Sequence, residues 1–155
     1  DVQCRFNTFY DKESVAYQRK EIAKILKTRL QTKKINRHSF FNELKQSKIV
    51  MSPFGLGEIT LKDFEVFITG ALLMKPDMSH LETWPDFYNK DTYVPFNWDL
   101  SDLSEKLEFV LDNYSKHIKL AENAQNIYQH YVASKDGYGE FVSRLNNIIT
   151  NELAV

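Results

Sequence analysis

Cysteine is almost absent from this chain. Cys4 is the single one in 155 residues, which excludes an intrachain disulfide. It stands in the alternating run Val2-Gln3-Cys4-Arg5-Phe6, so it reads as a packed strand residue and not as a reactive thiol. Net charge is nearly absent as well. Twenty Lys and Arg against 21 Asp and Glu leave −1, which provides no basic face for sequence-independent nucleic-acid binding. No apolar run approaches the roughly 18 residues of a membrane span, and the mixed, polar first residues do not form a signal peptide. An initiating Met is missing too. A chain that opens on Asp1 and enters a strand at once reads as a segment of something longer.

What is present is ordinary for a water-facing globular domain: 43% hydrophobic and 26% charged residues, in a length suited to one core. The aromatic share, 14%, suits a core together with an interface to another domain. Residues 2–6 read as a short strand. Val15, Ala16, Ile22, Ala23, Leu26 and Leu30 then recur at helical spacing, and a brief strand is expected between Leu30 and Ile35. Ser39 is placed to cap a helix with Phe40, Phe41 and Leu44 on its buried stripe. Lys48–Ser52 is a short apolar run of the kind buried on both faces of a parallel sheet.

A helix opens at Thr60, with Asp63 three residues on as a capping box, and stops at Gly70. Ala71–Met74 is the next buried strand, stopped by Pro76. Ser79–Tyr88 reads as a short helix or turn broken by Pro85, and Thr92–Phe96 as a strand that Pro95 places toward an edge or toward its own end. From Ser101 onward the pattern is helical, with a break expected at Asp136-Gly137-Tyr138-Gly139. Strands alternating with helices predict an α/β, Rossmann-like three-layer α/β/α domain with a parallel sheet. Residues 1–155 form one such unit, with 101–155 its helical C-terminal part.

The most informative stretch runs from Ser52 to Glu65. A strand, a turn containing Gly55 and Gly57, and a helix beginning at Thr60 put backbone N–H groups and a helix dipole where an anion can sit. The glycines allow close backbone approach or positive φ. The third glycine of a dinucleotide fingerprint and the Gly-Lys-Ser/Thr of a phosphate loop are both missing. Glu65 lies among Phe64, Val66, Phe67 and Ile68, so its carboxylate is paired to a structural base, waits for a ligand hydroxyl, or stands as a solvated helix acid. Lys75, Asp77, His80 and Glu82 follow the next strand, where an open sheet places its ligand crevice. A metal on Asp77, His80 and Glu82 is disfavoured, since no second His or Cys stands at ligand spacing. Arg19, with Lys20 beside it, and Lys75 are the candidate cations for a diphosphate. His38, His117 and His130 read as surface or packing residues. No nucleophile elbow is present, and no catalytic residue is assigned.

Several segments carry a resemblance: Glu43 through Gly55, then Gly57-Glu58, then Phe64-Glu65 with Gly70 five residues on, and Leu73-Met74-Lys75-Pro76-Asp77. From about Phe40 to Leu111 the chain resembles the donor-binding half of two-domain, GT-B-type glycosyltransferases of the "glycosyl transferases group 1" kind. The resemblance implies a nucleotide-diphosphate sugar as donor substrate, no metal and no other cofactor, and a cytoplasmic location. It also implies an N-terminal acceptor-binding domain in the same or a partner chain. Glu65 would bind the ribose hydroxyls, while Gly55, Gly57, Glu58 and Thr60 would line the phosphate and sugar end. Arg19, Lys75 and Asp77 complete the expected substrate-binding set. The alternative is a non-catalytic nucleotide- or phosphate-binding interaction module with the same fold.

Overall fold

The computed structural model describes residues 2–31 and 35–153. Strands β1 (Val2–Arg5), β2 (Leu30–Gln31), β3 (Ile49–Met51), β4 (Leu72–Pro76) and β5 (Val94–Phe96) lie in the order β2-β1-β3-β4-β5, every pairing parallel. The four strands from β1 to β5 form the main ladder, and two-residue β2 extends it beside β1. Helices α1 (Glu13–Leu26), α2 (Arg37–Gln46), α3 (Leu61–Thr69), α4 (Leu103–Asp112), α5 (Tyr114–Ala133) and α6 (Lys135–Leu153) complete the chain. This is the expected parallel α/β, Rossmann-like architecture.

Strand alternation splits the core into two layers. Cys4, Ile49, Met51, Leu72 and Met74 point to one face, where Ile22 and Leu26 of α1 and Leu103, Leu107 and Val110 of α4 cover them. Val50 and Leu73 point to the other, against Leu44 of α2 and Val66 and Phe67 of α3. Helix α5 contributes Ala121 to the first layer and Ala124 to the second. Since both faces are covered, β3 and β4 are buried throughout; β3 is wholly apolar, and β4 is apolar from Leu72 to Met74 before Lys75.

The punctuation of the chain acts much as its residues suggest. Asp63 accepts the Thr60 amide at 3.0 Å, closing the capping box of α3. Gly70 ends α3 in the left-handed region (φ 73°), its N–H directed at the Val66 and Phe67 carbonyls. Pro95 lies in β5, the edge strand beside β4.

Three boundaries differ from the sequence expectation. Asn36, not Ser39, caps α2: the Asn36 side chain accepts the Ser39 amide at 2.9 Å, the bond an N-cap makes to its third helical residue. Of the helix or turn expected over residues 79–88, the turn is what forms, with Phe87 and Tyr88 drawn into the layer over α3. Pro76 ends β4 from within it, opposite Phe96. The C-terminal break falls at Ser134, so Gly137 and Gly139 lie inside α6. The strand expected between Leu30 and Ile35 is Leu30–Gln31, and residues 32–34 lie outside the described ones.

Candidate functional site

The sheet order reverses between β1 and β3, because the chain runs outward to β2 and returns on the other side of β1. In open parallel sheets the ligand crevice lies beyond the carboxyl ends of the strands at this reversal. A cleft of about 460 Å³ occupies that position. The loop after β1 supplies Phe6 and Tyr10, the turn after β3 supplies Gly55 and Gly57, and the start of α3 supplies Thr60 and Lys62. Three basic side chains line the cleft, Arg5, Arg19 and Lys62, and no carboxylate among the described residues does. A cleft of similar size, about 480 Å³, at the amino ends of β1 and β3 matches Arg29 and Lys48 with Glu108 and Asp112. Charge therefore singles out the carboxyl-end cleft as the candidate anion site.

Arg19 is buried and holds the cleft together. Its Nε donates to the Phe54 carbonyl at 2.8 Å, Nη1 to the Asn7 carbonyl at 3.0 Å, and Nη2 to the Pro53 carbonyl at 3.4 Å. It thus ties the loop after β1 to the turn after β3. Its guanidinium lies 4.6 Å from the centroid of the Tyr10 ring. Burial lowers its pKa, yet an arginine stays charged at neutral pH. Arg5 is held by Glu43 of α2 in an ion pair of 2.8 Å.

Lys62 reaches from the first turn of α3 to the end of β1, where its Nζ donates to the Arg5 carbonyl at 2.7 Å. Burial pushes its ammonium down to about 7, with Cys4 opposing, Arg19 adding to the shift, and Glu65 and Asp63 opposing. Cys4 is fully buried, and burial pushes its thiol up to about 11. That makes it the inert packing residue its sequence context suggests.

Gly55 and Gly57 occupy the wall of the cleft, but neither takes positive φ. The Gly55 amide donates to the Gly57 carbonyl at 3.0 Å, and the amides of Leu56 to Ile59 donate to no group among the described residues. A Cβ at Gly57 would meet nothing within 4 Å. Gly57→Ala is therefore expected to leave stability within about 0.5 kcal/mol of the parent, since the methyl group meets open space, while a diphosphate packed against this turn would bind more weakly. Thermal unfolding alongside calorimetric titration with a nucleoside diphosphate checks both halves.

Below the cleft lies a buried polar network. Asp63 accepts from Ser52 Oγ at 2.6 Å, Tyr88 OH at 2.8 Å and Thr60 Oγ1 at 3.0 Å, and its carboxylate lies 3.2 Å from Lys75 Nζ. Lys75 is consequently not an open cation for a diphosphate. Its place on β4 gives it the same facing as Leu73, toward α3, and both it and Asp63 are 0% exposed. Burial lowers the Lys75 pKa, and Asp63 opposes that shift.

The other expected residues are distributed unevenly. Thr60 lines the cleft, while Glu58 is exposed and outside the lining. Glu65 is partly buried on α3 one turn beyond Leu61, outside the cleft lining. Burial raises its pKa, against the charges of Lys62 and Arg37. Asp77 is engaged in its own turn, accepting from the Ser79 amide at 3.0 Å and from Ser79 Oγ at 2.9 Å. Backbone hydrogen bonding to Ser79 is the chief reason its pKa is lowered. His80 packs edge-on to Trp98, with ring centroids 5.9 Å apart. Among the described residues no group of three or more His, Cys, Asp or Glu side chains is gathered as a metal site. No helix among them is long and apolar enough to cross a membrane.

Sequence reasoning missed Arg5, Phe6, Tyr10 and Lys62 as cleft residues. The one available signal was their position just after an N-terminal strand and just inside the helix that follows the glycine turn. No family model and no curated protein matches the chain.

Proposed function

We propose that this chain is a donor-binding domain of a GT-B-type glycosyltransferase, holding a nucleotide-diphosphate sugar at the carboxyl edge of its sheet. The observation that carries the reading is the cleft at the strand-order reversal, lined by Arg5, Arg19 and Lys62 and by no carboxylate among the described residues. The sequence resemblance of Phe64-Glu65 with Gly70 narrows the anion from any phosphate to a sugar nucleotide.

In this reading the diphosphate lies against the Leu56–Ile59 amides and the start of α3, close to Arg19 and Lys62. Fixed N–H groups and cations of this kind stabilise the charge that develops on a departing diphosphate, without a metal being required. Glu65 would take the ribose hydroxyls from its place beyond Lys62. The acceptor, and any base that activates it, would come from an acceptor-binding domain in the same or a partner chain. Exposed apolar side chains at the rim, Leu56 at 82% and Leu61 at 76%, are a surface such a domain would cover. A cytoplasmic location belongs to the same proposal.

A thermal-shift series of nucleoside diphosphates, nucleotide sugars and inorganic phosphate tests the reading. Stabilisation by a nucleoside diphosphate beyond that by phosphate supports it. Equal shifts with phosphate alone favour a phosphate-binding interaction module. Glu65→Ala is expected to weaken donor binding about tenfold without unfolding the domain, the loss of roughly one hydrogen-bonded carboxylate. Unchanged calorimetric affinity in that variant removes Glu65 from the ribose.

A further inference from the structure

We infer that Lys62 is a protonation-coupled ligand of this cleft: a diphosphate seated there is met by the lysine ammonium, and binding draws a proton from solvent. The inference rests on the diphosphate reading of the cleft and deepens it by assigning one residue a titrating role.

The geometry begins with what each basic side chain already holds. Arg19 is committed to three backbone carbonyls and Arg5 to Glu43. Lys62 Nζ makes one hydrogen bond among the described residues, to the Arg5 carbonyl at 2.7 Å. That leaves ammonium N–H capacity beside the cleft, since a protonated lysine carries three donors.

Burial from water sets the protonation of Lys62, and the charges around it act in both directions. From β1 it faces Cys4, a neutral thiol, and Arg5. From α1 it faces Arg19, and on α3 it has Asp63 and Glu65 as neighbours. Asp63 is already engaged by Lys75, Ser52, Thr60 and Tyr88. From α2, Glu43 is held by Arg5, and Arg37 lies beside Glu65. Arg19 adds to the effect of burial while Asp63 and Glu65 oppose it, which leaves titration at about 7, and no carboxylate among the described residues lines the cleft itself. A phosphate oxyanion within about 4–6 Å favours the charged amine and raises that value.

The sign follows by linkage. Below pH 7 Lys62 is charged before the ligand arrives, and binding takes up little. Above it, the free protein carries a neutral amine and the complex an ammonium. Binding then consumes close to one proton, and affinity falls up to about tenfold per pH unit. A terminal phosphate loses its last proton near pH 6, so the range from about pH 7.5 to 9 isolates the lysine.

The test is calorimetry of the 155-residue chain with uridine diphosphate and adenosine diphosphate, in buffers of equal pH but different ionisation enthalpy. Proton uptake approaching one per ligand at pH 8, with affinity declining toward pH 9, is the expected result. Lys62→Arg, permanently charged, is expected to bind without uptake and with a flat pH profile. Binding by the parent chain with no proton uptake overturns this inference and leaves the diphosphate reading standing. Uptake that persists unchanged in Lys62→Arg overturns it as well. Failure of both diphosphates to bind at any pH overturns the inference together with the reading beneath it.

Discussion

Asp63→Ala is expected to destabilise the domain by about 3–5 kcal/mol, the range for removing one partner of a buried ion pair. Stability of a whole domain is typically 5–15 kcal/mol, so the variant loses a large part of it. The reason lies in what Asp63 leaves behind. Lys75 Nζ, 0% exposed, would face no counter-charge, and Tyr88 OH and Ser52 Oγ would lose their acceptor in a buried setting. Lys75→Met is expected to be milder, because Asp63 retains hydrogen bonds from Ser52, Thr60 and Tyr88. The double variant Asp63→Ala with Lys75→Met should recover part of the loss, since it removes the stranded charge. Denaturant unfolding of the four proteins measures the coupling. Additive effects of the two substitutions would show that the pair does not act as a unit.

Gly137 provides the second large effect, and Gly139 its control. Both lie in α6, where glycine is roughly 0.5–1 kcal/mol less favourable than alanine. At Gly139 a Cβ meets nothing within 4 Å, so Gly139→Ala should gain that amount. At Gly137 a Cβ would run into the His130 carbonyl oxygen and stand 2.5 Å from Tyr131 Cα, both of them backbone atoms of α5. Backbone cannot swing aside as a side-chain tip does. The overlap is expected to cost about 1–3 kcal/mol or more, which outweighs the propensity gain.

The damage should be local. Helix α6 is fastened by the α5 contact, by Trp84 stacked on Phe141 at 6.1 Å between centroids, and by Arg144 lying 5.4 Å from the Trp84 ring centroid. Gly137→Ala should therefore speed hydrogen exchange through 135–153 while β3 and β4 stay protected. Protection in α6 that matches the parent would show that α5 and α6 adjust to the methyl group without separating.

The sequence by itself determined the class of fold and most of its punctuation. Alternating strand and helix patterns, the Thr60–Asp63 capping box, Gly70 as a helix stop and Pro95 at an edge all depend on interactions within a few residues. Such signals survive without knowledge of what packs where. Even locally, competition decided some boundaries. Asn36 took the cap from Ser39, and Ser134 ended α5 ahead of the glycines, which settled into α6 because one of them fits against α5.

Only the tertiary structure decided which charges share a site. Arg19 and Lys62 meet because the sheet order places β1 beside β3, and nothing in the spacing of the two residues records that pairing. Lys75, an inviting cation on paper, is closed off because strand alternation in a sheet covered on both faces turns it toward Asp63. Gly57 and Thr60 stayed at the cleft, while Glu58 and Asp77 fell outside it. Local conformation follows from neighbours along the chain. Burial and electrostatic partnership follow from the pairing of distant strands, and it is those two quantities that turn a glycine turn into a candidate anion site.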